Sequence, residues 1–227
     1  MPNDWGFFGS TQELPFELNV SNGIATVTFA DGVSFSFSVS ISAEDVGGDE
    51  WHENSNRAEI TKRYLQANIG SVLVLNPYEL EDVWEALKDY PAIEFVGAPW
   101  NEGGFEALLD IDEYGDPVST GSRTVVDGFG AVTHIVDDSK KVLVNATTPT
   151  HTLHEGYVCR HVFDDGNQNY FTLQSVGFGT GNHAGMNTFF SPLVWDHMTT
   201  EIIEGFASQK YADRTGQDTS RLIIAVP

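Results

Sequence analysis

Residues 33–42 alternate apolar side chains (Val33, Phe35, Phe37, Val39, Ile41) with serines (Ser34, Ser36, Ser38, Ser40, Ser42) without a break. A period of two puts all the grease on one face of an extended chain and all the hydroxyls on the other, which specifies a half-buried antiparallel strand. The residues before it, from 14, carry the same signal in pieces broken at Ser21-Asn22-Gly23 and Ala30-Asp31-Gly32. Asn-Gly and Asp-Gly pairs adopt the positive backbone angles of tight hairpins, so 14–42 reads as three consecutive strands. The serine face reads as solvent-facing sheet, and a hydroxyl-lined surface also suits sugars or a partner.

Beyond the acidic turn at 44–53, the sequence predicts a helix over 56–68, capped by Ser55 and stopped at Asn68 or Gly70. A buried strand follows over 71–75. A second helix then runs from Asn76-Pro77 to Asp89, with Leu80, Val83, Trp84 and Leu87 at helical spacing. Pro91 ends it, and 92–96 reads as a short strand, so the passage resembles a crossover unit. Strands are expected over 123–126, 131–136 and 141–145, then a hairpin of 157–163 with 169–176. A last helix spans about 191–211, with Leu193, Val194 or Trp195, Met198, Ile202, Ile203 and Phe206 inward. The predicted class is α+β, strand-rich antiparallel sheets with a few packed helices. A change from an acidic front to a histidine-bearing back divides 1–120 from 121–227, as two regions or as one domain.

The chain has 227 residues, enough to bury a core, and 33 acidic residues against 11 basic ones give a formal charge of -22. No Lys or Arg precedes Arg57. Such a chain repels phosphate backbones and anionic lipid, which argues against nucleic acid and membrane as partners and leaves a small-molecule substrate or a protein. The start carries no basic and apolar leader pattern, and no apolar run reaches the length of a span, so a soluble protein is expected, cytoplasmic or exported without a visible signal. Cys159 is the only cysteine, which excludes an intrachain disulfide and zinc sites of the paired-cysteine type. The acidic run DIDEYGDP lacks the twelve-residue calcium-loop pattern and reads as an exposed loop.

Chemistry gathers at 151–187, which holds four of the seven histidines and, in Arg160, the single Lys or Arg between Lys141 and Lys210. Arg160 alternates with Val158 and Val162 and so shares their buried face, where a guanidinium is costly unless paired. His154 as base, Arg160 as charge clamp and His183 as acid form a candidate catalytic set, with Asn187 and His151 binding substrate. Alternatively, His154 and Arg160 hold a loop to a sheet. No metal is assigned: His151 and His154, three apart, point to opposite faces of an extended segment. The glycine run Gly177-Phe178-Gly179-Thr180-Gly181 lacks the later spacing and the lysine of nucleotide loops, and no cofactor is implied. GxSxG is absent, and Cys159 reads as a buried, inert thiol.

Val144-Asn145-Ala146-Thr147, then His154-Glu155-Gly156-Tyr157-Val158-Cys159-Arg160, then the 177–181 glycine run and Asn187 resemble uncharacterised terminal modules of bacterial secreted and Rhs-type toxin proteins. The likeness covers roughly residues 142–206, and those modules carry proline where this chain has Glu155. It implies an effector-like domain, and with the candidate set it predicts a hydrolase or transferase acting on a small or anionic substrate. The competing expectation is a non-catalytic acidic binding protein, of immunity, virion or structural type.

Overall fold

A computed structural model describes residues 14–62, 64–68, 71–75, 78–91, 117–126, 130–180, 199–216 and 222–224. The architecture is α+β, with three antiparallel sheets and two helices among the described residues. The predicted meander is present as β1 (Glu17–Ser21), β2 (Ile24–Thr28) and β3 (Ser34–Ser38), paired in the order β1-β2-β3. Asn22 and Gly23 both have positive φ at the first turn and Gly32 at the second, as tight hairpin turns require. Val27, Phe35, Phe37, Val39 and Ile41 are buried, while Ser34, Ser36 and Ser38 lie on the exposed face.

Among the described residues the main sheet comprises β4 (His52–Thr61), β7 (Arg123–Val126), β8 (Gly130–Asp137), β9 (Val142–Thr147), β10 (Gly156–Phe163) and β11 (Tyr170–Gly179), in the order β4-β11-β10-β9-β8-β7. The expected helix over 56–68 is therefore wrong: its first half belongs to β4 and its second to β5 (Tyr64–Asn68). Ala, Arg and Glu in this stretch favour helix only weakly, and a ladder of ten residue pairs with β11 outweighs that preference. β5 pairs with β6 (Ser71–Leu75) and β12 (Leu222–Ile224) in a third sheet. Because β4 precedes residue 120 and its five partners follow it, the regions divided there share one sheet.

Helix α1 (Leu80–Asp89) begins later than Asn76-Pro77, which lie outside the described residues, as do 92–96 and DIDEYG. Asp82 accepts the Glu79 backbone N–H at 2.8 Å and holds its first turn. Helix α2 (Thr199–Thr215) is described from Thr199 onward. Both helices pack on one face of the main sheet: Val83, Trp84, Leu87, Ile203, Phe206 and Tyr211 meet Ala58, Ile60, Leu143, Val162, Phe171 and Leu173. The β1–β3 meander covers the other face, where Phe35, Phe37 and Ile41 meet Val142, Val144, Tyr157, Cys159, Val176 and Phe178. The main sheet is thus the middle layer of three. No helix among the described residues is long and apolar enough to cross a membrane.

Candidate functional site

On the helix side of the main sheet, strand register sorts residues into rows. Ala58, Leu173 and Val162 form one row, and Ile60 and Phe171 the next, both apolar and covered by the helices. Moving along the strands, the face turns polar. Asn56, Ser175, Arg160 and Leu143 stand in register; then Asn54, Gly177, Val158, Asn145 and His134; then His52, Gly179 and Gly156. Asn56, His134, Asn145, Arg160 and Ser175 are all buried. A buried polar layer of this size is unusual, because polar groups leave water at a cost unless hydrogen-bonded.

One half of the layer is hydrogen-bonded through His134, Asn145 and the Arg160 Nη1. His134 donates Nδ1–H to Asn145 Oδ1 at 2.9 Å, and its Nε2 meets Thr124 Oγ1 at 2.8 Å, so both ring nitrogens are engaged. Burial lowers its pKa further than the Asn145 hydrogen bond raises it. Asn145 Nδ2 donates to the Pro91 carbonyl at 2.6 Å, and Arg160 Nη1 donates to the same oxygen at 3.3 Å. Arg160 is 1% exposed. Burial pushes its guanidinium down to about 9, so the charge persists at neutral pH. It lies where the chain leaves the C-terminal end of α1, the end at which a helix dipole favours a cation.

The other half is not satisfied. His52 Nδ1, Asn54 Nδ2 and Ser175 Oγ are closed to solvent and have no hydrogen-bond partner. Asn54 spends its Oδ1 accepting from Asn56 Nδ2 at 3.0 Å. Burial lowers the His52 pKa, against the effect of a hydrogen bond to the Glu50 backbone. All three orphan groups sit along β4 and β11 on one face. Glycines floor this area: a Cβ on Gly177 would lie 3.0 Å from Asn54 Oδ1, and one on Gly179 would lie 2.4 Å from the Glu155 carbonyl and 3.2 Å from the His52 ring. Larger residues would displace the side chains that give the face its character.

Of the candidate catalytic and substrate-binding residues that are described, Arg160 alone lies in this layer. His154 is exposed, and its Nδ1 lies 3.3 Å from Thr147 Oγ1 and 3.2 Å from the Thr147 carbonyl. Thr147 stands four residues beyond Leu143, the register partner of Arg160, which is roughly 13 Å along the strand. The base and the clamp are not brought together. His151 is half-buried, accepts the Leu153 N–H at 3.1 Å, and has its pKa lowered by burial first and by His154 second. His183 and Asn187 lie outside the described residues. Cys159 is fully buried on the meander side, where burial raises its thiol pKa. Among the described residues no cluster of three or more His, Cys, Asp or Glu is placed to hold a metal ion.

His52, Asn54, Asn56, His134 and Ser175 were missed. The signal for three of them is present: His52, Asn54, Asn56, Ala58 and Ile60 alternate with period two, changing from polar to apolar along one face.

No protein-family model matches the sequence, and no curated protein matches it. Among solved structures the chain is similar to a protein of Nitrosospira multiformis, with 12% identity over 73% of this chain and 99% of that one and a TM-score of 0.36. It is similar to an Arabidopsis thaliana member of the major latex protein family, with 12% identity over 70% and 96% and a TM-score of 0.35. It is also similar to Ara h 8.0201, with 13% identity over 70% and 99% and a TM-score of 0.35. Overlap at this level bears on neither mechanism nor ligand.

Proposed function

We propose that this chain is a small-molecule-binding protein whose ligand lies against the glycine-floored polar face of the main sheet. The observation that carries the reading is the grouping of three buried, unpartnered polar groups, His52 Nδ1, Asn54 Nδ2 and Ser175 Oγ, on adjacent same-face positions. Each such group costs about 1–3 kcal/mol when left unsatisfied. A ligand or ordered water that pairs with them recovers that cost.

Binding is favoured over catalysis because no base faces a nucleophile among the described residues. His134 has both ring nitrogens engaged, Cys159 faces the other layer, and His154 stands at the surface. His52 and Ser175 are separated by four residues of β11 register, roughly 13 Å. The stretch that resembles Rhs-type modules supplies Asn145, Arg160, Gly177 and Gly179 to this face. An effector-borne module that holds a small molecule is the form of the effector reading these residues support.

A ligand-observed NMR screen of mixed metabolites against the wild-type chain and a Gly177→Val variant tests the proposal. The added isopropyl group would occupy the space of the Asn54 amide, so ligands should bind wild type and be lost from a variant that still melts cooperatively. Ligands that bind both proteins equally would place the site elsewhere.

A further inference from the structure

We propose that His161 and Asp31 form a pH-gated latch that fastens the meander to the main sheet and loosens it as the pH rises. The strand period of two sets His161 beside Cys159 on the face of β10 that the meander covers, and its side chain is 3% exposed. Both ring nitrogens meet oxygens: Nδ1 lies 3.1 Å from the Lys141 carbonyl, and Nε2 lies 3.0 Å from Asp31 Oδ2. A carbonyl and a carboxylate accept hydrogen bonds and donate none, so a ring that makes both contacts carries a proton on each nitrogen. It is an imidazolium. The neutral ring has one N–H, and whichever nitrogen keeps it, the other sets a lone pair against an oxygen. Loss of the proton therefore turns one of the two attractions into a repulsion.

Asp31 lies in the β2–β3 turn, where its other oxygen, Oδ1, accepts the Val33 N–H at 3.0 Å and ties the carboxylate to the turn itself. Two further contacts hold this turn to the main sheet: Gln174 Oε1 accepts the Ala30 N–H at 2.9 Å, and Lys140 Nζ donates to the Ser34 carbonyl at 2.8 Å. Of these three fastenings, the histidine is the one that changes charge near neutrality. Phe29 and Phe163 flank its ring, with centroids 4.8 and 5.1 Å away, so the ion pair is weakly screened by solvent. The other charged groups around it are engaged elsewhere. In the His161 row of the sheet, Arg57 stands beyond Gln174 and pairs with Glu59 and Asp165, while Asp137 stands beyond Val142 and accepts from Ser139 and Lys140. Lys141 sends its Nζ to Glu81, Asp164 pairs with Lys62, and Arg160 projects from the opposite face toward Pro91. Asp31 is the carboxylate in contact with the ring.

Cys159 is the only thiol of the chain and is buried beneath the meander, so its alkylation follows opening of that layer. The test is the rate at which iodoacetamide modifies Cys159 in the full chain between pH about 6 and about 9, the range over which an imidazolium loses its proton. Each rate is divided by that of the urea-unfolded chain at the same pH, which removes the titration of the thiol itself. The His161 ring is followed in parallel by its 1H–13C shifts. The normalised rate should rise by about 3- to 10-fold, with the midpoint of the His161 ring. Asp31→Asn separates the latch from general alkaline loosening: its Oδ1 keeps the Val33 N–H, and its Nδ2 donates to Nε2 of the neutral ring. The latch then closes without the proton, and the rise should vanish. His161→Phe, which removes both contacts, should be modified at the alkaline wild-type rate already at pH about 6. A flat wild-type profile, or a rise that persists unchanged in Asp31→Asn, would overturn the proposal. Should that variant fail to fold, the wild-type midpoints decide: a rise that does not coincide with the His161 titration overturns it equally.

Discussion

Arg160 is a buried cation that donates to a backbone carbonyl. Its isolation among apolar neighbours pointed to a buried guanidinium, and it is buried, but its Nη1 meets the Pro91 carbonyl where the chain leaves α1. Truncation to alanine should leave a void and strip Pro91 of one of its two side-chain donors. We expect Arg160→Ala to lose roughly 2–5 kcal/mol in urea unfolding, and a loss under about 0.5 kcal/mol would contradict the structural role. Histidines make a second prediction at this scale. His52, His134 and His151 all have folded-state pKa values lowered from the ordinary 6.5, with burial as the first cause. Below 6.5 the unfolded chain therefore binds protons that the folded chain refuses, so their stability contribution is present above 6.5 and is lost as pH falls. Asp89, whose pKa burial raises, acts in the opposite sense. The His134→Gln variant isolates one histidine: its melting temperature should fall less than that of wild type between pH about 7.5 and about 5.5.

Among the elements, those with strong local punctuation were legible. The meander declared itself by Ser/apolar alternation and glycine turns, the β10–β11 hairpin by Asp164-Asp165-Gly166, and α1 by Val83, Trp84 and Leu87. β4 did not, because HENSNRAEIT has few β-branched or aromatic residues and owes its extended state to pairing with β11. With 44–53 read as a turn and 56–68 as a helix capped by Ser55, His52, Asn54 and Asn56 are not seen to share a face, and most of the candidate site stays hidden. The stacking of the meander on the main sheet was equally out of reach, since it depends on contacts distant in sequence. Gln174 is central to that stacking. Its Oε1 accepts the Ala30 N–H at 2.9 Å, while Nε2 donates to the Pro15 carbonyl at 3.2 Å and to Ser55 Oγ at 3.0 Å. Gln174→Leu should strand these partners, at about 1–3 kcal/mol for each group left unsatisfied. Hydrogen exchange should accelerate in 17–38 ahead of β8 and β9. Uniform acceleration across all strands would mean that the meander is not a separable layer.

For the whole molecule, charge and layering act together. A formal charge of -22 opposes compaction, and several cations are committed to local pairs: Lys62 with Asp164, Lys88 with Glu85 and Asp138, and Arg214 with Glu79 and Asp82. Added monovalent salt screens the remaining repulsion, and the melting temperature should rise from low to high salt; a fall would show that the pairs outweigh the repulsion. Within this acidic shell the main sheet is covered on one side by the meander and on the other by two helices, whose apolar contacts end where the polar rows begin. The central claim is that those rows form a ligand site rather than a merely structural polar layer. Its most direct measurement is amide-shift mapping of the wild-type chain with a compound found by screening. Shifts should concentrate at 52–56, 156–160 and 175–179. Shifts concentrated instead on the outer serine face or on the 151–154 turn would contradict it.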